Sequence, residues 1–212
     1  MSIKKFLHSC ILIEENGKRL LIDPGSFSFI EGILKPKDIG TVDVILYTHE
    51  HQDHFYPEVT ALFMTPETKI VCPREISSQL ETKGIYSEYI ESDERREVHG
   101  FQIEAFEAPH EPVLGEIPDN LAFLINDSVL HPGDSVSVSI DKRVETLCLP
   151  VAAPWLRIVD AILFARKLKP KTAIPIHDAF LKDFMRERMY GQVSSVLETE
   201  GIHFDQKNQL IT

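Results

Sequence analysis

The run "TVDVILYT" passes without a break into "HEHQDHFYP". A continuous apolar stretch of strand length, without alternation, reads as a strand covered on both faces. Directly after it come His49, His51, Asp53 and His54. Imidazoles packed together repel one another once protonated, so their accumulation at the end of a buried strand points to a bound metal. In extended backbone His49 and His51 project to the same side and reach one ion. Asp53 and His54 follow where the chain turns, before Pro57 opens a helix, and point to a neighbouring position. Two metal positions are therefore implied. The helical zinc-protease motif is excluded, because it needs a second histidine where Asp53 stands and a helix where this segment is extended.

The remaining pattern supplies a scaffold for that strand end. "CILIEENGKRLLIDPG" reads as two strands joined at Asn16-Gly17, a dipeptide suited to the positive backbone dihedrals of a tight hairpin. "TKIVC", "FQIEAFEAP", "NLAFLIN", "SVLHPG", "TLCLPVA" and "KTAIPIH" are further strands, while "REISSQLETKG", "LRIVDAILFARKLK" and "GQVSSVLETEG" carry helical periodicity. Most strands precede most helices, which predicts an α+β chain with sheets packed face to face and helices outside. With 212 residues, 43% hydrophobic, and no Gly/Ser linker, residues 1–212 read as one domain. His110, Asp134 and His177 each lie where a strand gives way to a loop, and so offer partners for the cluster.

Charge and cysteine content narrow the classes. The net charge of −11, from 22 basic and 33 acidic residues, excludes nucleic acid as the main partner and favours a small-molecule substrate. The opening "MSIKKFLHSCILIEENGKR" has a basic start, but its apolar run before Cys10 is too short for a signal peptide and His8 interrupts it. Cys10, Cys72 and Cys148, an odd number at wide spacing, suit reduced thiols. No apolar run reaches membrane-spanning length. The expectation is a cytoplasmic chain without a membrane partner, for which a homo-oligomer is allowed.

The HxHxDH pattern of His49, His51, Asp53 and His54, followed in order by His110, Asp134 and His177, resembles the metallo-β-lactamase superfamily. "FLHSCILIEENGKRLLIDPG" and "LKPKTAIPIHDAF" are similar to the opening and closing segments of the subgroup around L-ascorbate-6-phosphate lactonase and its metal-dependent hydrolase relatives. Leu7 stands where that subgroup usually has glycine, and Asp178 where an aromatic is common. The resemblance implies a four-layer αββα sandwich with a metal site at one edge. His49, His51 and His110 would hold a first ion, Asp53, His54 and His177 a second, and Asp134 would bridge them. Zn²⁺ suits the mixed nitrogen and oxygen donors, with Mn²⁺ or Fe²⁺ as alternatives.

The implied enzyme is a metal-dependent hydrolase in which a bound hydroxide attacks a small lactone or ester and the second ion accepts the leaving alkoxide. Asp53 is the expected proton shuttle. His8 is assigned a catalytic part, either lining the cleft or supporting it from beneath. A phosphodiester is the alternative substrate. An iron redox protein is a different class, disfavoured because diiron relatives usually carry glutamate at the position of His51. A non-catalytic, metal-stabilised binding module is disfavoured by the complete ligand set. Asp178 and His131 flank ligands and are read as orienting them. Trp155 is either a pocket wall or core, His99 and His203 are read as surface residues, and Cys10, placed on the same strand face as His8, is explained by packing.

Overall fold

The computed structural model describes residues 1–30 and 34–206. One sheet has six strands in chain order: β1 (Ser2–Lys5), β2 (Ile11–Glu15), β3 (Lys18–Ile22), β4 (Val44–Leu46), β5 (Lys69–Cys72) and β6 (Glu88–Tyr89). The other has seven, β7 (Arg95–Val98), β8 (Phe101–Glu107), β9 (Leu121–Ile125), β10 (Val129–His131), β11 (Thr146–Pro150), β12 (Thr172–Ile176) and β13 (His203–Phe204). Helices α1 (Ser26–Phe29), α2 (Pro36–Ile39), α3 (Pro57–Phe63) and α4 (Arg74–Thr82) arise between strands of the first sheet. The second sheet carries α5 (Ile158–Leu168) and α6 (Asp183–Glu198).

Side-chain alternation along the strands builds the layers. Ile11, Ile13, Leu20, Ile22, Val44 and Leu46 point inward to meet Phe123, Ile125, Cys148, Ile174 and Ile176 of the other sheet. The intervening Leu12, Leu21 and Ile45 face outward onto Phe29, Ile39, Val59, Phe63, Ile76 and Leu80 of α1 to α4. Leu124, Leu147, Leu149 and Ala173 face outward onto Ala161, Phe164 and Ala165 of α5 and Tyr190, Val193 and Leu197 of α6. Both faces of each sheet are thus covered, which is why these strands read as unbroken apolar runs. The result is the expected four-layer αββα sandwich.

The hairpin at Asn16-Gly17 forms as read, with φ of 50° and 75° at its corner and Glu15 paired to Lys18. Three differences from the sequence reading have physical causes. The polar strand β1 goes beyond the sequence reading, since it carries no apolar pattern and takes its place by pairing with β2. Helix α6 begins at Asp183 rather than Gly191, because its first turns leave Phe184 and Met185 exposed and carry no apolar stripe. His8 does not share a strand face with Cys10. It sits at the tip of a turn closed by Phe6 N–H to Cys10 O (2.8 Å) and Cys10 N–H to Leu7 O (3.2 Å).

Cys10, Cys72 and Cys148 are buried free thiols. Among the described residues, no helix is long and apolar enough to cross a membrane.

Candidate metal centre

Strand direction gathers the polar residues at one edge. β3 and β4 run parallel, as do β10, β11 and β12, and β8 shares the direction of β10 because each is antiparallel to β9. Their carboxyl ends therefore open together, delivering Asp23 after β3, His49 to His54 after β4, His110 after β8, Asp134 after β10 and His177 after β12. His8 enters from the turn between β1 and β2.

The side chains fall into two groups, His49, His51, His110 and Asp134 in one and His8, Asp53, His54 and His177 in the other, with ligand atoms of each group within 4.8 Å of one another. In the first, His51 Nδ1 is 3.2 Å from His110 Nε2; in the second, His54 Nε2 is 3.0 Å from His177 Nε2. Asp134, a member of the first, also reaches the second. Its Oδ1 lies 2.5 Å from His177 Nε2 and 3.0 Å from His54 Nε2, while Oδ2 lies 3.3 Å from His110 Nε2 and 3.8 Å from His49 Nε2.

These groups fit a cation. The buried His49 Nε2 has no hydrogen-bond partner in the protein, although buried polar atoms normally find one. Burial, with the neighbouring His54, His110 and His51 imidazoles, pushes His49 well below the usual histidine range despite Asp134, so it stands neutral with a lone pair to give. Burial works against the Asp134 anion, but the His177, His54 and His49 imidazoles outweigh it and hold the carboxyl well below its ordinary range. Imidazoles gathered around an ionised carboxylate are the donor set of a divalent transition metal.

Residues 2–177 match the profile of the beta-lactamase superfamily domain, which spans both groups. The chain belongs to the metallo-β-lactamase superfamily. A Mycobacterium tuberculosis protein is 31% identical over 212 residues, covering 94% of each chain. A UPF0173 metal-dependent hydrolase of Anoxybacillus flavithermus is 28% identical over 191 residues, 80% of this chain and 82% of its own. The crystal structure of a Parabacteroides distasonis protein described as a metal-dependent hydrolase superposes with a TM-score of 0.75 at 20% identity, covering 95% of this chain and 90% of that one. The protein is an enzyme of the metal-dependent hydrolase type.

Within this superfamily member, residues that the sequence reading left without a role hold the ligands in register. Buried Asp23, with φ of 47°, accepts from Thr48 N–H (2.9 Å), Thr48 Oγ1–H (2.7 Å) and His54 Nδ1–H (2.7 Å). That last bond fixes the tautomer that leaves Nε2 of His54 for the group, as carboxylates behind metal-binding histidines do. Thr48 Oγ1 is also 3.0 Å from His49 Nδ1, and His110 Nδ1–H donates to Glu111 O at 2.6 Å. Buried Asn120 donates to Ala108 O (2.8 Å) and Pro132 O (3.0 Å) and accepts from Asp134 N–H (3.2 Å), tying the His110 and Asp134 loops together. Gly25 is required by contact, since a Cβ there would lie 1.9 Å from Asp53 O. In the sequence, Asp23 and Gly25 stand only as the end of "CILIEENGKRLLIDPG", which gives neither of them a role.

The secondary candidates separate clearly. His8 Nε2 lies 2.9 Å from Asp53 Oδ2. Burial and the His177 imidazole push His8 down to about 4, so it is neutral and donates this N–H to Asp53, and the same nitrogen cannot also bind a metal. Burial works against the Asp53 anion, yet the His8 hydrogen bond and the surrounding imidazoles hold its carboxyl well below the usual range. Trp155 is at the site, not in the core: its Nε1–H donates to Asp134 Oδ2 at 3.0 Å and its ring centroid is 5.5 Å from that of His177. His131 is buried behind the site on Ser9 O, 3.1 Å away. Asp178 turns away from the ligands toward Lys5 and Tyr190. His203 is exposed, whereas His99 is half-buried and reaches Glu67 O at 3.0 Å.

Proposed function

We propose that the protein hydrolyses a small lactone or ester with two divalent cations, Zn²⁺ by donor chemistry, one in each group. The observation that carries this reading is the split of Asp134 between the groups, one carboxylate oxygen toward each. Such cations supply Lewis acidity and can bring the pKa of water from about 15.7 to about 7.

The chain's own groups do the rest. His49, His51 and His110 would hold the first cation, His54, His177 and Asp53 the second, with Asp134 between. Asp53, its side chain 19% exposed while His54 and His177 are almost fully buried, is the carboxylate with access to solvent and the proposed proton acceptor. His8, neutral and bonded to Asp53, sets the orientation of that carboxylate. Trp155 on one side and the Phe27 and Phe180 rings, 5.1 and 5.4 Å from His8 by centroid, on the other supply apolar walls that exclude water from the reacting bond.

A cavity of about 550 Å³ adjoins His110, within the range of small-molecule sites. Its lining includes Glu75, Glu91, Glu107 and Asp119 against one arginine, Arg74, which Glu91 already engages at 2.5 Å. That environment supports a neutral lactone or ester over an anionic phosphodiester.

Metal analysis of the purified full chain, with an anomalous scattering map and a panel of lactones, esters and phosphodiesters, tests the reading. Two ions per chain and turnover of the uncharged substrates are expected. A single site at metal saturation, or turnover of phosphodiesters alone, would sink it. A second measurement concerns His8. His8→Ala should keep both ions while turnover falls about 10²-fold to 10³-fold, the effect of losing a group that positions an acid-base catalyst. Metal loss in parallel with activity would make His8 a ligand.

A further inference from the structure

Behind the second group lies a polar cluster that neither the fold nor the hydrolytic chemistry uses. Lys5 Nζ donates to Asp178 Oδ2 at 2.6 Å, and Tyr190 O–H donates to the same oxygen at 2.5 Å. Lys5 and Asp178 are each 1% exposed and Tyr190 5%. Burying an ion pair strips both ions of water before any attraction is regained, and an apolar replacement is often as stable. Stability alone is therefore a poor reason for charges here.

Their location supplies a better one. Asp178 directly follows His177, and Lys5 closes β1 three residues before His8. His8 and His177 both occupy the left-handed region, with φ of 62° and 63°. Each such non-glycine conformation is strained and persists only where its surroundings over-determine it. The two turns abut: His177 N–H donates to His8 O at 3.3 Å, and the imidazole centroids are 4.2 Å apart. The Lys5–Asp178 contact is a second tie between the same two segments, and Tyr190 anchors it to α6.

We propose that Lys5, Asp178 and Tyr190 are positioning residues that clamp the two left-handed turns together, bringing His177 Nε2 and the His8–Asp53 pair to the second cation position. The proposal rests on the two-cation reading for its effect on binding, though not for the clamp itself.

The test uses the full chain with Lys5→Met, Asp178→Leu and Tyr190→Phe combined, which removes the three polar members together. In the metal-free protein, the His177 amide should exchange with solvent at least about tenfold faster than in wild type, while amides of α5 are unchanged. In a zinc titration, the second binding step should weaken about 10-fold to 100-fold with the first step preserved, the range seen when groups supporting a ligand are removed. Tyr190→Phe alone, which keeps the ion pair, should show the same pattern at smaller size, and it decides the matter if the combined variant does not fold. Wild-type His177 exchange and a wild-type second step in the variants would overturn the clamp. A wild-type protein that saturates at one zinc would instead overturn the two-cation reading, and the exchange measurement would still judge the clamp.

Discussion

Asp134→Ala should remove zinc from both positions at once. Its two oxygens face different groups, at 2.5 Å from His177 Nε2 and 3.3 Å from His110 Nε2, so a single substitution takes one donor from each. The same change deletes the negative charge that would offset two dications bound as proposed, and it leaves Trp155 Nε1–H without its acceptor at 3.0 Å. Zinc per chain should fall from two to below one at concentrations that saturate the wild type, and turnover should fall about 10³-fold or more. Equilibrium dialysis with metal analysis checks the first and steady-state kinetics the second. A variant that still holds two zinc ions would show that Asp134 does not join the groups.

Asp23→Ala should have the largest effect on stability. The carboxylate is fully buried and accepts from Thr48 N–H, Thr48 Oγ1–H and His54 Nδ1–H. Removing one partner of a buried charged network costs about 3–5 kcal/mol, because the others are left unpaired. For a chain of this size that corresponds to a fall in Tm on the order of 10 °C, measured in the metal-free form so that lost metal does not contribute. Asp23→Asn keeps the volume and one acceptor oxygen, and should recover part of the Tm. It should not recover metal affinity, since an amide no longer fixes the His54 tautomer as a carboxylate does. An unchanged Tm for Asp23→Ala would mean that Thr48 and His54 find other partners.

The sequence made the scaffold legible where burial imposes a simple period. Strands covered on both faces wrote themselves as apolar runs, and Asn16-Gly17 announced its turn through dihedrals that few residues tolerate. Apolar periodicity marks α6 only from Gly191, because exposed Phe184 and Met185 interrupt the apolar stripe that reveals a helix. At the site, His49, His51, Asp53 and His54 stood out because adjacency in the chain mirrors adjacency in space. Asp23 did not, being 31 residues from the His54 it orients. The Lys5–Asp178 contact was still less visible, since its partners are 173 residues apart and each looks like an ordinary surface charge in one dimension. Trp155 was ambiguous for another reason: indole packs equally well in a core or a cleft, and only its N–H acceptor distinguishes the two.

The division of the chain between two sheets has a consequence for how the protein responds to its surroundings. The amino-terminal sheet supplies His49, His51, Asp53 and His54, and the carboxyl-terminal sheet supplies His110, Asp134 and His177. Neither half owns a full coordination shell, so ions bound as proposed would act as rivets between two slabs, added to their apolar contact and to a few polar ties such as Lys5–Asp178. By mass action, an ion present at a thousand times its dissociation constant adds about 4 kcal/mol to the folded state. The lifetime of the protein, and not merely its rate of turnover, would then follow the free metal supply, with scarcity read out as loosened sheets and faster proteolysis.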